Sequence, residues 1–505
     1  MPNPPNTPQQ KTENDHIAAI DIGSNSFHLI TARVEDGAIQ PLVIDKQMVR
    51  LASGLDEQNT LSEDAMLRGL DVLRSFALSI KDIDVDSVRV DATHTLRRAH
   101  NADDFVRRAR QFMPAPVEVI SGDEEARLIY QGVAHHTHYE GPRLVIDIGG
   151  GSTEFAVGEG FSVRELSSQP MGCVTFTKRF FPDGTMSSEA FDAASLAARQ
   201  RLEAISSRFI DAGWDKALGA SGTIKAVNQY LSAKSAEDNT GITRKALLKM
   251  RKELISIGET KKLSSVDEHR RNVLPAGLAI LIAIFEEFAI DSLTVSGAAL
   301  REGVLSELID RMDHQDIRER TIESLMIRYS VDPHQVERVW RGAQQLFNSL
   351  SEQLPRNEKE IAANFLRWSI SVHEIGLQIN RRGIQKHSAY IVQNAPLPGF
   401  SNQDQALLGA IVDAHRKRFQ RADFEQYDVL RLDTMIRVIA ILRLSILLNV
   451  RRLDNFLPDI QASYTTNTLT LTFPKNWLSN NALVVADLKT EAQQLAQNGL
   501  ILNWE

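Results

Sequence analysis

Two stretches of the chain are built to one plan. Leu144-Val145-Ile146-Asp147-Ile148-Gly149-Gly150-Gly151-Ser152-Thr153-Glu154-Phe155 runs from a β-branched apolar segment through a carboxylate, three glycines and two hydroxyls to a second carboxylate. Ile17-Ala18-Ala19-Ile20-Asp21-Ile22-Gly23-Ser24-Asn25-Ser26-Phe27-His28-Leu29 repeats it as buried strand, Asp-Ile-Gly, small polar loop and second strand. Both read as strand, bare loop, strand. A chain that carries this hairpin twice is constrained to a duplicated α/β fold, with a phosphate held between the halves.

Glycines leave backbone N–H groups free to converge on one anion, as phosphate-binding nests require. Asp147 and Glu154 flank the second loop, and hard oxygen ligands beside a phosphate suit Mg²⁺. Taken alone, the segment also fits a glycine turn whose Asp caps it. The second copy at Asp21 favours the phosphate cradle.

At 505 residues the chain has room for several domains. Its 43% hydrophobic and 24% charged residues are those of an ordinary soluble protein. A single cysteine, Cys173, rules out an internal disulfide, fits a reducing cytoplasm and reads as a small buried hydrophobe. A net charge of −8 argues against a surface made for general polyanion binding, nucleic acid included. Met1 to His16 is rich in Pro, Asn, Gln and Thr, so a disordered tail over 1–15 is expected, neither signal peptide nor membrane span. The longest apolar run, Pro275 to Phe285, stops at Glu286 and Glu287, short of the roughly 20 residues a bilayer needs. It is expected to be a buried helix.

Ile17 to Val49 carries three strand-like runs with Glu35-Asp36-Gly37 as a turn, and Ser62 caps a one-sided apolar helix. A strand over Val88 to Ala92 leads into Thr93 to Arg98, Asn101 starts another helix, and a short strand ends at Ile120. Strands and helices together make an α/β lobe. Ser121-Gly122-Asp123-Glu124-Glu125-Ala126-Arg127 then turns into a helix whose dipole one or two acids would satisfy; three ask for another explanation. A long helix from Ser188 to Ala212, a strand at Ala217 to Ala220, the turn Ser221-Gly222-Thr223, a strand at Ser292 to Ser296 and a helix from Leu300 to Ile309 complete a second lobe. From His314 to about Arg452 the periodicity is helical throughout, and strand residues return from Ser463. The expected boundaries are lobe I at 16–128, lobe II at 129–312, a helical domain at 313–452 and a small α+β domain at 453–505.

With both hairpins, the Glu-Glu-Ala-Arg turn, Gly219-Ala220-Ser221-Gly222-Thr223-Ile224-Lys225 and Ser296 to Leu305 in hand, the sequence resembles one family. It is the exopolyphosphatase/guanosine pentaphosphate phosphatase family, of the actin, hexokinase and heat-shock-chaperone ATPase superfamily. The resemblance runs from about His16 to the C-terminus and is nearest to the long, four-domain bacterial exopolyphosphatases. It implies two ribonuclease-H-like lobes with an interlobe cleft, a helical HD-like domain and an α+β C-terminal domain. It makes Glu125 the catalytic base, and Asp147 and Glu154, joined by Asp21, the carriers of Mg²⁺ or Mn²⁺. Gly23, Ser24, Asn25 and Ser26, with Gly149, Gly150, Gly151 and Ser152, would hold phosphates; Arg97 would reach the substrate, and Gly222 and Thr223 would form a further phosphate-side turn. A homodimer in the cytoplasm, or peripheral to the membrane, is also implied. The chemistry agrees: phosphoanhydride cleavage needs an in-line water, a base and neutralised charge on the transferring phosphoryl. A planar guanidinium grips phosphate oxygens in pairs.

The helical region resembles the HD phosphohydrolases, but their His-Asp pair appears as His373-Glu374, with a second histidine in Lys386-His387-Ser388. Since HD enzymes hold metal with His and Asp together, the departure argues for a domain that binds rather than cleaves. Arg381, Arg382, His415, Arg416, Lys417, Arg418 and Arg421, with Arg451 and Arg452, form basic clusters. Solvated helix faces are one reading; a track that tethers a polyphosphate chain and confers processivity is the other. The expected function is therefore processive, Mg²⁺-dependent release of orthophosphate from inorganic polyphosphate. The alternative is hydrolysis of the guanosine pentaphosphate 5′-γ-phosphate with the same base, metal and loops, guanosine pentaphosphate or tetraphosphate acting as substrate or inhibitor. A sugar-kinase-like transferase leaves the later domains unexplained, and a non-enzymatic alarmone sensor would release no phosphate.

Overall fold

Strand residues alternate between two cores, and that alternation places the two Asp-Ile-Gly carboxylates. The computed structural model describes residues 16–35, 38–137, 139, 141–233, 241–263, 266–312 and 317–505. The expected tail at 1–15 and the turn at 36–37 lie outside the described residues. The chain divides into two units, Met1–Gln315 and Asp316–Glu505.

In the first unit, strands β1 (His16–Ile22), β2 (Ser26–Glu35) and β3 (Ala38–Met48) form an antiparallel meander. Strands β4 (Val88–Ala92) and β5 (Val117–Val119) add in parallel on the other side of β1, giving the order β3-β2-β1-β4-β5. The second sheet repeats this scheme. Strands β6 (Arg143–Ile148), β7 (Thr153–Glu159) and β8 (Ser162–Gln169) are the meander. Strand β9 (Lys216–Gly219) pairs in parallel with β6 and β11 (Ser292–Val295) with β9, while β10 (Ile242–Thr243) closes the edge antiparallel. The result is an α/β fold of mixed sheets covered by helices.

Both central strands are buried on both faces, as strands covered by helices on each side are. In β1, Ala18, Ile20 and Ile22 enter the core of the first sheet, whereas Ile17 and Ala19 enter a separate core between the sheets. In β6, Leu144, Ile146 and Ile148 face the second sheet's own helices, and Val145 faces the shared core. The period of two therefore puts Asp21 on the face of Ile17 and Ala19, and Asp147 on the face of Val145. Both carboxylates end an inner face.

Between those faces lie the helices Gly122–His136 and Leu300–Met312. They touch backbone to backbone at two glycines: a Cβ on Gly132 would overlap Ala299 O, and one on Gly303 would overlap Leu128 O. Helix Leu274–Glu287 is buried on all sides from Leu274 to Phe285, as its apolar run predicts. Among the described residues no helix is long and apolar enough to cross a membrane.

The second unit opens with helices between Ile317 and Leu448 and holds no strand before β12 (Gln461–Thr465). With β13 (Thr468–Thr472) and β14 (Ile501–Trp504) this forms a three-stranded sheet, crossed by helix Ala482–Ala496. Leu469, Leu471 and Leu488 join Trp368, Ile439 and Leu442 in one continuous core. A segment that short gains by burying its apolar face in a shared core.

Candidate functional site

The two loops meet at a cavity of about 530 Å³ in the first unit. The first loop is held from behind, Arg50 N donating to Asn25 O at 2.8 Å, Ala52 N to Ser24 O at 2.9 Å and Thr95 Oγ1 to Ser24 Oγ at 2.8 Å. The second is closed by Gly149 N to Ser152 O and by Cys173 N to Gly149 O, both 2.9 Å. The glycines are there for contact: a Cβ on Gly150 would stand 3.1 Å from Ser24 Cβ, and one on Gly151 would overlap the His94 ring. Gly222 and Thr223 line the same cavity, at the start of a helix capped by Ser221 Oγ, which accepts from Ile224 N at 3.1 Å.

Glu125 lies in the first turn of the Gly122–His136 helix, whose cap, Ser121 Oγ, accepts from Glu124 N at 3.1 Å. Its Oε2 accepts from Arg97 Nη1 and Nη2 at 3.1 and 3.2 Å, and Arg97 Nη1 also donates to Ile120 O at 2.9 Å. Burial raises the Glu125 carboxyl above the usual range; the Arg97 guanidinium opposes this and the Asp21 charge adds to it. Asp147 and Glu154 face each other across the β6–β7 ladder. Burial, then the charges of Glu125 and Asp21, push Asp147 up to about 7. Burial raises Glu154 well above its ordinary value, with Glu125 and Asp147 adding to it. Glu154 Oε1 accepts from Ser168 Oγ at 2.8 Å. Like charges on directly opposed residues destabilise a sheet, and a proton or a bound cation would relieve this pair. Hard carboxylate oxygens beside phosphate loops match the chemistry of Mg²⁺, which keeps waters and needs only one or two protein carboxylates. Among the described residues no group of three or more His, Cys, Asp or Glu side chains is arranged for a metal.

Asp21 lines the same cavity and meets a histidine there. His28, its cross-strand partner, reaches Asp21 Oδ2 through Nδ1 and Ser26 Oγ through Nε2, each at 3.1 Å. Sequence reasoning passed over His28, although counting back across a short hairpin places it opposite Asp21. It also passed over Lys46, Lys225, Arg270 and Arg301, which come from four separate segments to the same cavity. Burial and the neighbouring Arg270, Arg301 and Lys225 charges lower the Lys46 ammonium, which marks how closely the four cations gather.

In the second unit the basic clusters divide into buried or paired residues and exposed ones. His415 is buried, its Nδ1 donating to Val412 O at 2.5 Å and its ring packed on His373 at 5.4 Å. Arg421 pairs with Asp433, and Arg452 with Asp332 and Glu374. Arg381, Arg382, Arg416, Lys417, Arg418 and Arg451 are exposed and make no ion pair among the described residues, Arg451 lying over the Phe456 ring. Glu374, next to His373, is tied to Arg452.

The Ppx/GppA phosphatase family pattern matches residues 30–312, and the pattern of domain III of that family matches residues 317–492. The chain is 40% identical over 490 residues to a protein of Vibrio atlanticus described as guanosine-5′-triphosphate,3′-diphosphate pyrophosphatase, covering 97% of this chain and 98% of that one. A Vibrio cholerae protein of the same description is 40% identical over 488 residues, covering 97% of this chain and 98% of its own. The crystal structure of the Aquifex aeolicus Ppx/GppA family member is 30% identical, with a TM-score of 0.52, over 59% of this chain and 99% of that one. An exopolyphosphatase from Cytophaga hutchinsonii, 24% identical over 59% of this chain and 98% of its own, shares the fold at a TM-score of 0.53. These relatives correct the expectation of a polyphosphate hydrolase: the proteins matched along nearly the whole chain are described by a guanosine nucleotide. The duplicated hairpins, the acidic helix turn and both family patterns agree, and the chain belongs to the Ppx/GppA phosphatase family.

Proposed function

We propose that the protein hydrolyses the 5′-γ-phosphate of guanosine pentaphosphate, yielding guanosine tetraphosphate and orthophosphate. The observation that carries this is the 40% identity along 97% of the chain to relatives described by that nucleotide. The cations Lys46, Lys225, Arg270 and Arg301 suit it, since a nucleotide phosphorylated on both the 5′ and 3′ positions brings a second phosphate group into the cavity.

Arg97 and the N–H groups of the loops at 23–26 and 149–152 would position the terminal phosphoryl, with Gly222 and Thr223 on its far side. Asp147 and Glu154 would hold Mg²⁺, which neutralises charge on phosphate oxygens when bound. Glu125 polarises the attacking water: the water oxygen bonds to the γ-phosphorus as the bond to the β–γ bridging oxygen breaks, and the water proton passes to the Glu125 carboxylate. The raised carboxyl of Glu125 brings its proton affinity nearer to that of a working base. Catalysis is otherwise positioning and electrostatics. Two ribonuclease-H-like lobes, an HD-like helical region, a homodimer and a cytoplasmic location go with this proposal through the family resemblance.

The test is product analysis with guanosine pentaphosphate and Mg²⁺. One orthophosphate per guanosine tetraphosphate formed, abolished by a chelator and restored by Mg²⁺, is expected. Release of pyrophosphate, or turnover indifferent to chelation, contradicts the proposal.

A further inference from the structure

Next to Glu125, on the same helix, lies a charge cluster that the reaction itself does not use. Arg127 Nε and Nη2 donate to Glu124 Oε2 and Oε1 at 2.8 and 2.7 Å, and Arg127 also pairs with Glu307. Glu307 in turn accepts from Arg89 Nη1 at 2.5 Å, and Arg89 Nε donates to Asp91 Oδ1 at 3.0 Å. All five residues are at most 6% exposed. The cluster joins strand β4, the Gly122–His136 helix and the Leu300–Met312 helix.

Its location is costly. Buried ion pairs are often no more stabilising than apolar residues of the same volume. Apolar residues fill the rest of this layer, Leu128, Ile129, Val304 and Leu308 among them. What ion pairs supply and apolar contacts do not is direction. Glu124 and Arg127 are three residues apart and share a helix face, while Glu125 projects about 100° away from Glu124. Holding the first face fixes the rotation of the second. Strand β4 leads within two residues into the His94–Arg98 helix that carries Arg97. Both members of the Arg97–Glu125 pair thus hang on one network.

We infer that the buried Arg89–Glu307–Arg127–Glu124 network is a positioning device for the hydrolytic water, setting Glu125 and Arg97 relative to each other. Glu307 and Arg127 are positioning residues, distant in sequence from any loop that holds phosphate. The inference rests on Glu125 being the base.

The test uses the full chain with guanosine pentaphosphate and Mg²⁺. Misplacing a catalytic group by about 1 Å costs on the order of 100-fold. Arg127→Lys keeps the charge and loses the fork, so kcat should fall about 10-fold or more with KM unchanged. The double variant Arg127→Met with Glu307→Met removes the pair together. A melting temperature near wild type with kcat still depressed supports positioning; kcat restored alongside the melting temperature overturns it, as does an Arg127→Lys enzyme with wild-type kcat. Glu125→Gln, assayed in parallel, separates the two claims: full turnover there refutes the base itself, whereas an inactive Glu125→Gln beside a fully active double variant refutes only the network.

Discussion

An amide at position 125 keeps the shape of the side chain and removes its ability to take a proton. Glu125→Gln should lower kcat by about 10²–10⁴-fold and leave nucleotide affinity near wild type, measured by single turnover and by equilibrium binding. An unchanged kcat contradicts the assignment. Because burial lifts the Glu125 carboxyl, the rate should rise with pH above the ordinary glutamate range as the base ionises, and Glu125→Gln should lack that rise. Glu125 and Arg97 stand out in the sequence through the family resemblance, and the fold brings them together at 3.1 Å. His28, Lys46, Arg270 and Arg301 do not stand out: each is an unremarkable residue in its own stretch and gains meaning only where separate elements converge.

At the scale of elements, the contacts that admit no side chain are the sharpest. A methyl group on Gly151 collides with the His94 ring, and one on Gly303 collides with the Leu128 carbonyl. Overpacking of this kind typically costs about 1–3 kcal/mol. Gly303→Ala should therefore lower the melting temperature and, by parting the two inner helices, lower kcat as well; a variant with both at wild-type values contradicts the packing described. The hairpins, the Ser188–Ala212 helix and the serine caps at Ser62, Ser121 and Ser221 followed from local pattern, since strand alternation and caps are short-range. Asn101 shows where that ends. It precedes the Ala102–Ala109 helix as expected, but its side chain bonds Leu61 N and O at 2.8 and 2.9 Å instead of capping. The second acid of the Ser121–Arg127 turn has the same lesson: Glu124 pairs with Arg127, and Arg127 pairs in turn with Glu307, 180 residues further on.

For the whole molecule, each unit carries its own dependence on solution conditions. In the second unit, burial holds His415 down to about 3, and His373 is lowered too. Below pH 6.5 the unfolded histidines take up protons that the folded ones refuse, so folding is fully favoured above that pH and weakens as pH falls toward 3. The loss reaches about 1.4 kcal/mol per pH unit per histidine. Hydrogen exchange in helices Arg356–Val372 and Asn402–Ala414 of the full chain should accelerate accordingly once corrected for intrinsic rates. Protection independent of pH between 6.5 and 4 contradicts it. The helical texture from Ile317 to Leu448 was readable from periodicity, whereas the cations that gather at the cavity, Lys46, Lys225, Arg270 and Arg301, come from separate segments that no local pattern links. Specificity rests with the cavity walls. Initial rates of orthophosphate release from guanosine pentaphosphate and from long-chain polyphosphate, measured side by side with Mg²⁺, test that directly: a higher kcat/KM for guanosine pentaphosphate is predicted, and a higher kcat/KM for polyphosphate would contradict the account.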